Sequence, residues 1–141
     1  MNSNLKTVVL IDDQQANNFL TEMVLEDAEC SAAIKAYLSA EDALEDLKEH
    51  GATPDLIFLD INMPGMDGWQ FLDAYEQNLD TSNSSVIVML TSSDNEDDIK
   101  KAKSYACVKD YVTKPLTEEY CRMIVEKFPE LASKILGAQK S

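Results

Sequence analysis

The sequence predicts an α/β fold: a doubly wound, five-stranded parallel sheet with helices on both faces. Three observations carry this. Short apolar runs, Val8–Ile11, Leu56–Leu59 and Val86–Leu90, are too short for helices that must bury a face, and turn residues bound them, the pattern of strands covered on both sides. Segments with apolar residues at helical spacing alternate with these runs, which implies parallel strands joined by helical crossovers. The strands end in polar residues: Asp12-Asp13, Asp60, Thr91-Ser92 and, after Val112, Lys114. A parallel sheet brings those ends to one edge, where open sheets of this class bind ligands.

Each element follows from its residues. After Val8–Ile11, a helix carries Ala16, Phe19, Leu20, Met23 and Val24 as its expected inner stripe. Ala32–Leu38 reads as a weaker strand at an edge. Ser39 and Asp42 form a capping pattern for a helix bearing Ala43, Leu44 and Leu47. That helix should end at Gly51, with the only histidine, His50, in its last turn, where a cation suits the helix dipole. The strand Asp55–Leu59 runs into Asp60, and a turn follows through Asn62, Pro64, Gly65, Asp67 and Gly68. Asp67 caps a helix beginning near Gly68, with Phe71, Leu72, Tyr75 and Leu79 on one face.

Thr81–Ser85 is a polar loop, and Val86–Leu90 leads to Thr91-Ser92-Ser93. Asp94 is the expected cap of a short helix whose first turn holds Glu96, Asp97 and Asp98, acids that suit the dipole. Its apolar face, chiefly Ile99 and Ala102, is thin. The last strand is Val108–Val112, ended by Lys114-Pro115. Thr117 caps a final helix with Leu116, Tyr120, Met123, Ile124 and Phe128 inward. Pro129 should break or kink that helix, leaving Glu130–Leu136 as an extra turn or short helix.

Twelve basic against 26 acidic residues give a net charge of −14. That argues against unaided binding to nucleic acid, where phosphate contacts need Lys and Arg, and disfavours anionic membrane surfaces. Cys30, Cys107 and Cys121 are odd in number and widely spaced, as expected of reduced thiols. No stretch approaches the roughly 20 apolar residues of a membrane span, and the N-terminal apolar run is too short for a signal peptide. A cytoplasmic location is the expectation.

Three carboxylates at one sheet edge repel; at about 5 Å and an effective dielectric near 20, each pair costs roughly 3 kcal/mol. A hard divalent cation removes that cost, and an incomplete all-oxygen ligand set suits Mg²⁺, which keeps several waters and accepts a phosphate oxygen. Lys114 adds a point charge for an anion, and Thr91 a hydroxyl donor. Around Asp60, these groups describe a site for phosphoryl transfer to a carboxylate.

On these residues the chain resembles the receiver domain of two-component response regulators over about Lys6–Phe128. The carriers are Asp12-Asp13, the run DINMPGMDG at 60–68, Thr91-Ser92, and Tyr111 to Pro115. The resemblance implies a flavodoxin-like sheet of order 2-1-3-4-5 and a receiver domain at 1–128, followed by a short extension at 129–141 with no output domain. It implies Asp60 as phosphoacceptor. Asp13 and Asp60 would ligate Mg²⁺ directly, Asp12 mostly through water and Asn62 through its backbone carbonyl. Lys114 and Thr91 would hold the phosphoryl oxygens, and Thr91 and Tyr111 would be the switch pair. Pro64, Gly68 and Pro115 would shape the turns.

The implied partners are a sensor histidine kinase or histidine phosphotransfer protein and a downstream effector. The chain would be a signalling switch rather than an enzyme, its output surface formed by the fourth helix, fifth strand and fifth helix. One departure stands out. The family usually carries glycine near position 107, where this chain has Cys107, so that turn must be built without glycine's freedom at positive φ.

Rival readings fit less well. A phosphatase of the haloacid-dehalogenase type wants a second aspartate two residues after its nucleophile, and Asn62 stands there. A flavodoxin needs a phosphate loop after the first strand, where Asp12-Asp13-Gln14-Gln15 would repel phosphate. A receiver-shaped adaptor that is never phosphorylated stays open, although the full acidic set with Thr91 and Lys114 argues against it.

Overall fold

The computed structural model describes residues 5–30, 33–50, 54–78 and 85–127. Elements alternate as the sequence predicts: β1 (Thr7–Ile11), α1 (Gln15–Asp27), β2 (Ala33–Tyr37), α2 (Ala40–His50), β3 (Leu56–Leu59), α3 (Gly68–Asn78), β4 (Val86–Thr91), α4 (Glu96–Lys103) and β5 (Val108–Thr113), then α5 over 118–127. The strands pair in parallel in the order β2-β1-β3-β4-β5, the flavodoxin-like arrangement. Gly51, Leu79, Phe128 and the extension at 129–141, including the expected break at Pro129, lie outside the described residues. Among the described residues no helix is long and apolar enough to cross a membrane.

Strand alternation builds two cores. Val9, Ile11, Ile57, Leu59, Ile87 and Met89 meet α2, α3 and Ala102 of α4. Val8, Leu10, Leu56, Phe58, Val88 and Leu90 meet Leu25 and Ala28 at the end of α1, and Cys121 and Ile124 of α5. The central strands β3 and β4 are buried along their whole length, whereas β2 at the edge is largely exposed. The predicted caps form at three helices: Asp42 N–H donates to Ser39 Oγ (3.1 Å), Tyr120 N–H to Thr117 Oγ1 (3.1 Å), and Asp67 and Gln70 exchange two bonds of 2.9 Å.

The structure corrects two local expectations. The cap of α4 is Asn95, not Asp94; its side chain accepts from Asp97 N–H at 2.8 Å. The inner face of α1 is Asn18, Thr21 and Leu25, while Phe19 (62%), Leu20 (55%) and Met23 (42%) stand exposed. Of the expected stripe, Val24 packs against the core, whereas Phe19, Leu20 and Met23 line the outer face. Burial of Asn18 is tolerated because its amide meets backbone carbonyls at the strand ends.

The thin apolar face of α4 is supplemented by α3. Trp69 stacks on Tyr105 (centroids 6.1 Å, planes 14° apart), Lys101 Nζ lies 4.8 Å from the Trp69 ring, and Tyr105 Oη donates to Asp73 at 2.8 Å. The turn into β5 forms without positive φ at Cys107; among the described residues the only non-glycine with positive φ is Glu29. Tyr105 N–H donates to Ala102 O, and Val108 N–H to Tyr105 O, both at 3.1 Å. Cys30, Cys107 and Cys121 are buried free thiols, and burial with the neighbouring Glu76 carboxylate pushes the Cys107 thiol up to about 12.

Candidate phosphoryl and metal site

The carboxyl ends of β1, β3, β4 and β5 meet at one edge. Asp12 and Asp60 follow the last residues of β1 and β3, and Asp60 N–H donates to Ile11 O at 3.0 Å, tying the two ends together. Lys114 follows β5, and its N–H donates to Thr91 O at 2.8 Å, tying β5 to β4. Backbone bonds thus position Asp60, Thr91 and Lys114 before any side chain is considered.

Carboxylate oxygens of Asp12, Asp13 and Asp60 all lie within 4.8 Å of one another. Asp12 and Asp60 are buried and Asp13 is half-buried. Lys114 Nζ reaches Asp12 Oδ2 at 2.6 Å and Asp60 Oδ2 at 3.2 Å. The remaining oxygens are held by backbone: Gln14 N–H donates to Asp12 Oδ1 (2.8 Å) and Ile61 N–H to Asp60 Oδ1 (2.7 Å). Burial disfavours the Lys114 ammonium, but its bond to Asp12 and the charges of Asp60 and Asp12 outweigh that and raise its pKa. Three carboxylates against one ammonium leave a surplus of negative charge, and the donor set is entirely oxygen. Those residues fit a hard divalent cation. Asn62 lies two residues beyond Asp60 with an exposed side chain, and its carbonyl accepts no hydrogen bond among the described residues.

Thr91 is fully buried. Its Oγ1 accepts from Ser93 N–H at 3.4 Å and makes no bond to Asp60. The half-buried Tyr111 donates its hydroxyl to Ser93 O at 2.8 Å. Burial pushes that phenol up, against the opposing effect of the Ser93 side chain, so it stays a neutral donor. Ser93 Oγ in turn donates to Asp98 of α4 at 2.6 Å and accepts from Asn95 N–H at 3.2 Å. Ser93 therefore joins Thr91, Tyr111 and α4. Sequence reasoning placed it at the polar end of the fourth strand and missed that role; its position two residues past a buried strand-end threonine was the available signal.

The turn residues have distinct tasks. Lys114-Pro115 is a cis peptide, and Gly65 adopts φ +74° beside Glu41 of α2. Glu41 Oε2 accepts from Met66 N–H at 3.1 Å, tethering the loop between β3 and α3. Pro64 is exposed in that loop. A Cβ on Gly68 would stand 2.5 Å from Asp60 O and 2.9 Å from Ile61 Cα, so only glycine lets α3 start against the backbone of Asp60.

Comparison with known proteins gives one consistent result. The family profile of the response regulator receiver domain matches residues 8–126. The chain is 30% identical over 143 residues to the sensor histidine kinase GacS of Pseudomonas protegens, covering 100% of this chain and 15% of GacS. It is 33% identical over 99 residues to the response regulator Rcp1 of Synechocystis, covering 67% of each. The chain thus spans about one-seventh of GacS and 57% of the C4-dicarboxylate response regulator DctR of Priestia megaterium. Among solved structures, a two-component response regulator from Cytophaga hutchinsonii superimposes with TM-score 0.78 at 31% identity, covering 94% of this chain and 98% of that one. The Mn²⁺-bound form of Rcp1 superimposes with TM-score 0.72 at 29% identity, covering 87% and 93%.

Proposed function

This chain belongs to the response regulator receiver family, and from that premise we propose that it is a phosphorylation switch which takes a phosphoryl group on Asp60 from a phosphohistidine donor. The observation that carries the reading is Lys114 bridging Asp12 and Asp60 inside a cluster of three carboxylates. Asp12, Asp13, Asp60 and the Asn62 carbonyl would hold Mg²⁺, which would supply positive charge to the phosphoryl oxygens. A carboxylate oxygen of Asp60 forms the new O–P bond while the donor's N–P bond breaks. Its electron pair goes to the imidazole nitrogen. Lys114 and Thr91 stabilise charge on the moving group, the dominant need of such transfers. The chain catalyses only its own phosphorylation and dephosphorylation.

The donor is a sensor histidine kinase or a histidine phosphotransfer protein, acting in the cytoplasm. The exposed stripe of Phe19, Leu20 and Met23 begins within two turns of Asp13 and offers that donor an apolar docking face beside the pocket. The phosphorylated form acts on an effector protein through α4, β5 and α5. Residues 1–128 form the receiver unit and 129–141 an extension to it.

The test is intact mass after incubation with Mg²⁺ and a small acyl phosphate. One phosphoryl group should be added, blocked by a chelator and absent in Asp60→Ala. Labelling of Asp60→Ala at the wild-type level would overturn the assignment.

Switching runs through Ser93. When the Thr91 hydroxyl turns to the phosphoryl group it releases Ser93 N–H, and the Ser93 carbonyl carries Tyr111 with it, a shift between two arrangements driven by contacts made in only one of them. Thr91→Ala should therefore still be phosphorylated, while NMR shifts of Tyr111 and α4 respond little to a phosphoryl mimic. An unchanged Tyr111 environment in the wild-type protein would count against the mechanism.

A further inference from the structure

We infer that Asn18 is a positioning residue for the acidic doublet, and that it sets the metal affinity of a site it does not touch. The inference rests on the metal assignment proposed above. Asn18 lies at the end of the first turn of α1, and its side chain is turned to the sheet, 5% exposed. Its Nδ2 donates to Asp12 O at 3.1 Å and to Tyr37 O at 3.2 Å. Tyr37 O also accepts from Asp12 N–H at 3.2 Å. One amide thus stitches together the ends of β1 and β2 and the start of α1.

The stitch matters because of what lies on either side of it. The Asp12 carboxylate is held independently, by Gln14 N–H and Lys114. The Asp13 carboxylate accepts no hydrogen bond among the described residues, so nothing but its backbone aims it at Asp12 and Asp60. That backbone begins at the Asp12–Asp13 peptide, a rigid plane whose carbonyl oxygen is the atom Asn18 holds. Freeing that oxygen lets the plane rotate, and the Asp13 carboxylate swings with it. The plain alternative is that Asn18 only satisfies two buried carbonyls, in which case its loss would cost stability and leave metal binding alone.

The two readings separate by calorimetric titration of MgCl₂ into the full chain. Asn18→Leu keeps the branched heavy-atom shape and removes both donors. Its Mg²⁺ dissociation constant should rise about 10- to 100-fold, the usual cost of removing an outer-shell partner. Thr21→Val, buried on the same face of α1, should stay within about twofold of wild type, below that range. An Asn18→Leu protein that binds Mg²⁺ like wild type overturns the inference, and so does equal weakening in Thr21→Val, which would mark a general packing effect. Wild-type protein that binds no Mg²⁺ overturns the metal assignment itself. Should Asn18→Leu fail to fold, NMR of the wild-type Asn18 side-chain amide decides: shifts that track Mg²⁺ titration support the inference, and static resonances overturn it.

Discussion

Lys114→Ala is expected to slow phosphoryl transfer to Asp60 about a hundredfold, the scale of losing one preorganised stabiliser of transition-state charge. It is also expected to destabilise the protein in chelator. The Lys114 side chain is 16% exposed and sits 2.6 Å and 3.2 Å from two buried carboxylates. Removing one partner of a buried ion pair leaves uncompensated charge and costs about 3 kcal/mol. The two effects should separate on adding Mg²⁺. The metal neutralises Asp12, Asp13 and Asp60 without the lysine, and binds without a competitor for Asp12, so most of the lost stability returns. The transfer rate does not, because Lys114 acts on the phosphoryl group itself. Urea unfolding with chelator and with Mg²⁺, beside a phosphorylation time course, measures both. Equal stability of variant and wild type in chelator would show that the bridge does not neutralise the cluster.

The same pair has a pH signature. The folded-state pKa of Lys114 is raised above its ordinary 10.5. Its stabilising contribution is therefore complete below that value and is lost as pH climbs through the raised one. In chelator the wild-type protein should lose stability in this alkaline window more than Lys114→Ala does.

What could be read from sequence was whatever depends on strand chemistry. Runs such as Leu56–Leu59 and Val86–Leu90 have one interpretation, and once they are strands in a parallel sheet, Asp12, Asp60, Thr91 and Lys114 must share an edge. Helix orientation was harder. α1 carries a continuous apolar stripe at Phe19, Leu20 and Met23 that faces outward, while Asn18 and Thr21 face in. Periodicity identifies a stripe but not which side of the helix the sheet covers, and Asn18 becomes an inner residue only because strand-end carbonyls await it. The α4 cap fell one residue from its expected place because Asp94, Asn95 and Ser93 are all competent caps, and Asn95 is the one whose oxygen reaches Asp97 N–H. The turn at Cys107 needed no glycine because its backbone stays at negative φ.

Gly68→Ala should be far more damaging than its size suggests. The added Cβ would stand 2.5 Å from Asp60 O, 2.9 Å from Ile61 Cα and 3.2 Å from Asp60 C. These are backbone atoms, so no side chain can swing aside. Gly68 N–H also donates to Ile61 O at 2.8 Å, which holds the first turn of α3 against the same segment. Relief requires either α3 or the Asp60 backbone to move, and overpacking of this kind costs about 1–3 kcal/mol. The functional loss should exceed the stability loss, because a displacement near 1 Å at the reacting carboxylate costs transfer about a hundredfold. Gly65→Ala is the matched control. Its φ of +74° strains any side chain by about 1–2 kcal/mol, but its Cβ would meet the flexible end of Glu41 at 2.8 Å rather than the backbone of Asp60. The two variants should thus lose comparable stability while only Gly68→Ala loses phosphorylation. Phosphorylation of Gly68→Ala at the rate of Gly65→Ala would show that the contact between α3 and Asp60 does not set the position of the phosphoacceptor.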